Sequence, residues 1–178
     1  DTVIIQKAGD VIPDIVSVVT DLRTGKEKKY HFPEYVEDCG GPIERIPGQA
    51  AYRCKNKDSF AQKKRKFEHF VSKKAFDIEG LGPQIVDQLL EAQLISTYDD
   101  IFTLEKGDLL ELEGLGDKSA ENMLDAITAR TEIPLARFLV GLSIPNVGEE
   151  TAEDVAEHFG TITNIRNASR EDFDAIPG

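Results

Sequence analysis

The chain has 178 residues, 40% of them apolar and 30% charged, with a formal net charge of −12. That balance suits a soluble protein with one core or several small ones that share surfaces. No apolar run approaches the roughly 18 residues a bilayer-spanning helix needs, and no basic stretch followed by an apolar one opens the chain as a secretory signal would. The acidity is segregated. Residues 53–74 carry nine basic and two acidic side chains (+7), whereas residues 1–52 sum to −3 and residues 75–178 to −16.

In chain order, Thr2–Gln6 and Ile15–Asp21 read as β-strands rich in branched residues. Pro13 between them points to an edge or a bulge rather than a central strand. The stretch DLRTGKEKKY reads as a hairpin turning at Thr24-Gly25. From Phe32 to Gln62 the composition shifts to Pro, Gly, Cys and charge, and such a segment buries little core without a staple. Asp1 opens inside a strand-like run and Gly178 closes in an unfinished turn, so a piece of a longer cytosolic, cytoplasmic protein is expected. In that setting a stable disulfide between Cys39 and Cys54 is not expected.

From Lys63 onward the pattern is helical and broken by glycines at regular places. LEGLGDKSA (Leu112–Ala120) has a precursor in IEGLGPQIV (Ile78–Val86) and a looser successor in IPNVGEETA (Ile144–Ala152). With Gly114 as anchor, the matching positions are Asn146 and Gly178, each a step of 32 residues, and Gly80, a step of 34. A period in the thirties that holds helix, glycine turn and helix is a repeated supersecondary unit. Each unit is too small to bury its own apolar face, so neighbours must pack together. Leu109, Leu112, Leu115, Ala120, Leu124 and Ile127 form the apolar face of the second unit. Leu139, Leu142, Val147, Ala152, Val155 and Phe159 form that of the third. Ile78, Leu81, Val86, Leu89 and Leu90 serve the first, where Pro83 suits the first helical position.

A glycine turn before a helix permits positive φ and leaves no Cβ to hold a ligand away. The helix that follows offers free N–H groups and a partial positive charge. Together they suit an anionic oxygen, even on an acidic protein. The hydrophobic-Gly-hydrophobic-Gly pattern resembles the helix-hairpin-helix motif, which holds the DNA backbone without reading bases. On that reading Gly80, Gly82, Gly114, Gly116 and Gly148 are the DNA-binding turn positions. Lys118 and Ser119 would add an ammonium and a hydroxyl, Thr151 matches Ser119 in the third unit, and Ile85 takes that place in the first. Glu79, Glu113, Asp117, Glu149 and Glu150 flank the turns and oppose a phosphate, so the array alone should bind weakly. Lys63, Lys64, Arg65 and Lys66 are expected to supply salt-sensitive, sequence-independent affinity. Phe67 and Phe70, three apart, belong to the core.

DTVIIQKAGDVIP, the CGG…RC…AQ series, HFVSKKAFDIEGLG, LEGLGDKSAENML and FLVGLSIPNVGEETAEDVAEHFG resemble, in that order, motifs of bacterial NAD+-dependent DNA ligases. The resemblance covers nearly the whole chain. It implies an α+β multidomain fragment, mainly an α helix-hairpin-helix array preceded by OB-fold strands and a small zinc-ribbon-like module. Residues 1–33 would end an OB-fold, 34–62 form a zinc-finger-like module, and 63–178 a helix-hairpin-helix domain with its fourth unit cut short. The family uses NAD+ and Mg2+ to seal nicks between a 5′-phosphate and a 3′-hydroxyl. Its nucleotidyl-transfer lysine lies in a Lys-x-Asp-Gly motif that this sequence lacks, so no catalytic residue is expected here. The chain would be a monomeric clamp on nicked duplex DNA, with no membrane partner. The alternative is a non-catalytic helix-hairpin-helix module of another repair or recombination protein.

In the zinc module Cys39 and Cys54 match one member of each cysteine pair. Val36 and Ser59 stand where the family has the other two ligands. Asp38, Asp58, His31 and His69 are further donors, but none holds a family position. Structural zinc wants four cysteine or histidine ligands, so a metal-free remnant is expected, held by Ile43, Ile46 and Tyr52.

Overall fold

The computed structural model describes residues 1–9, 12–36, 40–48, 51–56 and 58–176, with Ala8 described by its backbone alone. Cys39, Asp38 and Gly178, singled out above, lie outside the described residues. The chain divides into two compact units, Asp1–Tyr35 and Val36–Gly178.

In the first unit, β1 (Val3–Ala8) and β2 (Ile12–Val18) form a two-stranded antiparallel ribbon, from Val3 opposite Val18 to Ala8 opposite Ile12. The register shifts between Ile4 and Ile5. Pro13 sits in β2 opposite Lys7, and a ribbon of two strands has a free edge on each, which accommodates a residue without an N–H. Two strands cannot enclose a core. Val3, Ile4, Ile5, Ile12, Ile15, Val16 and Val18 are accordingly exposed.

The expected hairpin at Thr24-Gly25 does not form, and residues 23–33 contain no strand. A turn is present, with Gly25 at φ 79°, but the Glu27 carboxylate accepts from Thr24 N, Thr24 Oγ1 and Gly25 N at 2.8–3.0 Å. Glu27, which a returning strand would contain, is instead folded back onto the turn. Those bonds, led by the Thr24 N–H, hold the Glu27 carboxyl down at about 2.

A small sheet comes next in the chain, in the order β3 (Tyr35–Val36), β4 (Gly41–Arg45), β5 (Tyr52–Cys54). Ile43 faces Cys54 and Arg45 faces Tyr52. Ile43 and Ile46 are only half-buried and Tyr52 is exposed, so these residues do not make the core expected of them. Cys54 is disulfide-bonded, contrary to the expectation from a cytosolic setting.

Among the described residues eight helices follow: α1 (Phe60–Val71), α2 (Pro83–Glu91), α3 (Lys106–Leu110), α4 (Asp117–Thr128), α5 (Leu135–Gly141), α6 (Glu149–Phe159), α7 (Ile162–Asn167) and α8 (Arg170–Asp174). A 3-10 segment, Tyr98–Thr103, joins α2 to α3. Their apolar faces meet in one cluster that includes Phe67, Phe70, Ile78, Val86, Leu109, Ala120, Ile127, Leu139 and Ala152. Leu89, Ile101, Leu109 and Val86 are its largest fully buried side chains, each contributing about 1.5–3 kcal/mol by leaving water. Phe70 stacks on Tyr98 with ring centroids 4.3 Å apart and on Phe76 at 3.9 Å.

The loop after α1 is held by two arginines from far along the chain. Arg137 donates to Ala75 O and Lys73 O, both at 2.7 Å. Arg130 donates to Asp77 O at 3.0 Å and pairs with its carboxylate at 2.9 Å. Asp77 lies at φ 54°, and these bonds fix the entry to the first glycine turn.

Candidate nucleic-acid interface

Three turns repeat one backbone course. Each begins with an i to i+3 bond: Leu81 N to Ile78 O at 3.4 Å, Leu115 N to Leu112 O at 3.3 Å, Val147 N to Ile144 O at 3.1 Å. Next comes a left-handed residue, with φ 90° at Gly80, 84° at Gly114 and 65° at Asn146. Asparagine is one of the few side chains that tolerates that region, so the third turn keeps the geometry without the glycine. Two residues later Gly82, Gly116 and Gly148 are the extended N-cap residues of α2, α4 and α6. Their carbonyls accept the first helical bonds, from Val86, Ala120 and Ala152, at 2.9–3.0 Å.

No side chain caps any of these three helices. Elsewhere most helices are capped, α5 behind Pro134 excepted. Ser59, Thr161 and Ser169 cap α1, α7 and α8, and Thr97 and Glu105 form reciprocal boxes with Asp100 and Asp108. The helices behind the glycine turns thus keep their first N–H groups for a ligand. A Cβ built on Gly82, Gly114, Gly116 or Gly148 would meet nothing within 4 Å, so packing does not explain these glycines. Gly80 is more enclosed, with Met123 Cε 3.5 Å from its Cβ position.

The flanking side chains follow. Lys118, Ser119 and Thr151 are exposed beside their turns, and Ile85 is half-buried. Gly80, Ile85, Leu115, Ser119 and Asn122 line one groove of about 450 Å³, so the first two turns share a surface. Gln88 ties them together, accepting from Glu113 N at 2.6 Å and donating to Glu113 O at 3.3 Å. Lys106 pairs with Asp117 at 2.9 Å and Glu121 at 2.7 Å, and Lys74 pairs with Glu149 at 2.7 Å. These lysines hold the Asp117 and Glu149 carboxyls below the usual carboxylate range. Asn122, Gln88, Lys74 and Lys106 were not singled out from the sequence. Only a fold that brings distant segments together gives them a role at the turns.

The basic run does not form one stripe. All four residues lie on α1, where successive residues point 100° apart, and Phe67, Phe70 and Val71 occupy the buried side. Lys63, Arg65 and Lys66 are exposed, but Lys64 is half-buried in an ion pair with Asp87 of α2. That hydrogen bond raises the Lys64 pKa further, so its charge is already partnered within the protein. His69 Nε2 lies 2.9 Å from Val140 O, a structural bond between α1 and α5.

Two described positions of the family's zinc pattern, Val36 and Ser59, offer little to a metal. Ser59, at one family ligand position, is 4% exposed, and its Oγ accepts Gln62 N–H as the cap of α1. Cys54 is spent in a disulfide, and Val36 has no donor atom. Among the described residues no group of three His, Cys, Asp or Glu converges on a point that suits a metal.

Two family models match the array, a SAM-like helix-hairpin-helix tandem over residues 73–129 and a helix-hairpin-helix motif over residues 137–178. The three glycine turns fall within these matches. The chain is also similar to proteins named DNA ligase. It is 45% identical over 177 residues to that of Thermoanaerobacter sp. strain X514, 44% over 176 to that of Bacillus cytotoxicus, and 41% over 178 to that of Desulforapulum autotrophicum. These alignments cover 99–100% of the chain but only 26–27% of each relative. The chain therefore spans about a quarter of the length of the curated relatives it matches. Among the described residues no helix is long and apolar enough to cross a membrane.

Proposed function

We propose that the chain is the DNA-holding portion of a DNA ligase, gripping the backbone of nicked duplex without reading bases. The observation that carries this reading is the threefold turn, with the same φ pattern, an uncapped helix behind it and open space in front. Backbone N–H groups and a helix dipole bind phosphate whatever the sequence, and they need no net positive charge. The similarity to ligases along the whole chain supports the parent activity.

The parent would use NAD+ and Mg2+ and carry its adenylated lysine elsewhere, since no Lys-x-Asp-Gly occurs here. This part would act as a monomer by orienting the two ends of the nick, and positioning of this kind removes much of a barrier without touching the reacting atoms. The first unit would complete an OB-fold with strands from outside this chain. The bare apolar faces of its ribbon support that reading. The small sheet before α1 would be held without metal.

Titration of a fluorescent nicked duplex with the full chain tests the reading. Binding at about 50 mM salt should be sequence-independent and fall steeply by about 200 mM, as counterion release requires. Absence of binding at low salt sinks it.

A further inference from the structure

We propose that Lys106 and Lys74 make the second and third turns competent for phosphate by neutralising the acid at the start of each following helix. This rests on the DNA-holding reading above and adds to it the residues that let so acidic a surface hold an anion.

The first residue of α4 is Asp117 and that of α6 is Glu149. A carboxylate there favours the helix dipole but occupies the field a phosphate needs. In both turns a lysine from another segment meets that carboxylate. Lys106, on α3, reaches Asp117 Oδ1 at 2.9 Å, and Lys74, in the loop after α1, reaches Glu149 Oε1 at 2.7 Å across 75 residues of chain. The first turn has Pro83 in the same place, with no acid to offset. The lysine thus follows the acid, turn by turn.

Ion pairs this exposed contribute little to stability. Lys106 side chain is 39% exposed and Asp117 79%; Lys74 is 72% and Glu149 56%. Their consequence lies in the local field. Each lysine lowers the negative charge at its turn by one, although Lys106 is shared with Glu121 of α4 and Glu150 stands next to Glu149. Lys74 spends one of its three N–H donors on the carboxylate and keeps the others. Beside Lys118, the Asp117 carboxylate then opposes a phosphate less than it would without Lys106. Lys106 and Lys74 are positioning residues: they act through the carboxylates.

Double-mutant cycles in the full chain test this. Affinity for a nicked duplex is measured at about 0.1 M salt for Lys106→Met, Asp117→Asn and the pair, and likewise for Lys74→Met with Glu149→Gln, with thermal melts of every variant. One unneutralised charge at the interface corresponds to roughly 5- to 10-fold in affinity at that salt. Lys106→Met should lose that much. Asp117→Asn should bind at least as tightly as the parent chain, and the double variant should return to within about two-fold of it. A merely structural lysine would not be rescued by removing its partner. Equal losses for Lys106→Met in both backgrounds overturn the role, because the lysine then touches phosphate on its own account. An unchanged affinity in a chain that binds DNA also overturns it, while leaving the DNA-holding reading intact. A parent chain that binds no duplex overturns both.

Discussion

Gly141 lies so close to the ring of Phe76 that a Cβ on it would come within 2.9 Å of Phe76 Cε2. Phe70 Cδ2 stands 3.5 Å away on the same side, and the two rings are stacked on each other. Gly141→Ala should therefore lower stability by about 1–3 kcal/mol through overpacking, although alanine favours a helix by roughly 1 kcal/mol over glycine. Urea denaturation reads the difference. A gain in stability would mean that the rings give way.

The two glycines of the second turn should separate fold from binding. Gly116 has an extended φ of −106° and open space around its Cβ position, so Gly116→Val should fold as the parent chain does. By screening the N–H groups from phosphate it should cost about 10- to 100-fold in DNA affinity, the worth of one charge-assisted hydrogen bond. Gly114→Val should in addition lose about 1–3 kcal/mol of stability, since φ 84° strains a branched residue. Lys118→Ala should lose only roughly 5- to 10-fold in affinity.

Within the basic run, Arg65→Met or Lys66→Met should reduce the slope of log affinity against log salt by about 1, as loss of one phosphate contact does. Lys64→Met should leave that slope unchanged, because its charge already faces Asp87. A change in slope for Lys64→Met would mean that the α1–α2 pair opens on DNA.

Asp100 caps the 3-10 segment, accepting from Ser96 N at 2.7 Å and Thr97 N at 2.8 Å. These bonds, led by the Thr97 N–H, lower its pKa from 3.8 to about 2. A lowered folded pKa means that the stabilisation is complete above the unfolded value and disappears as pH falls through the folded one. The cap should therefore hold above about pH 4 and fail towards pH 2. An NMR titration of the Asp100 carboxyl midpoint checks this, and a midpoint near 4 refutes it.

Elemental analysis of the purified chain should show no stoichiometric zinc, and a chelator should leave its melting curve unchanged. Stoichiometric zinc would overturn the metal-free reading.

The helical array was legible because its signals are local and periodic. Apolar spacing marks Leu109, Leu112, Ala120 and Ile127 as core, and all four are buried. The step of 32 residues between Gly114 and Asn146 falls on two left-handed residues. What stayed hidden depends on long-range geometry or on local competition. Lys74 and Glu149 are 75 apart in sequence. The demand of Phe76 on Gly141 comes from tertiary packing, and a run of four charges does not reveal that Lys64 is turned towards Asp87. Thr24-Gly25 looked like a hairpin because pattern alone does not weigh Glu27's grip on the turn.

Among the described residues the three helices behind the glycine turns begin without a side-chain cap, as α5 does behind Pro134, while five other segments are capped. A serine or aspartate at Gly82, Gly116 or Gly148 would add roughly a few tenths of a kcal/mol each to a helix lacking a side-chain cap. Routine thermostabilisation, guided by helix rules alone, would choose those three positions first. It would give a sturdier protein whose own side chains compete for the place of its ligand. In this protein the sites most open to improvement by stability are the ones an engineer should leave alone.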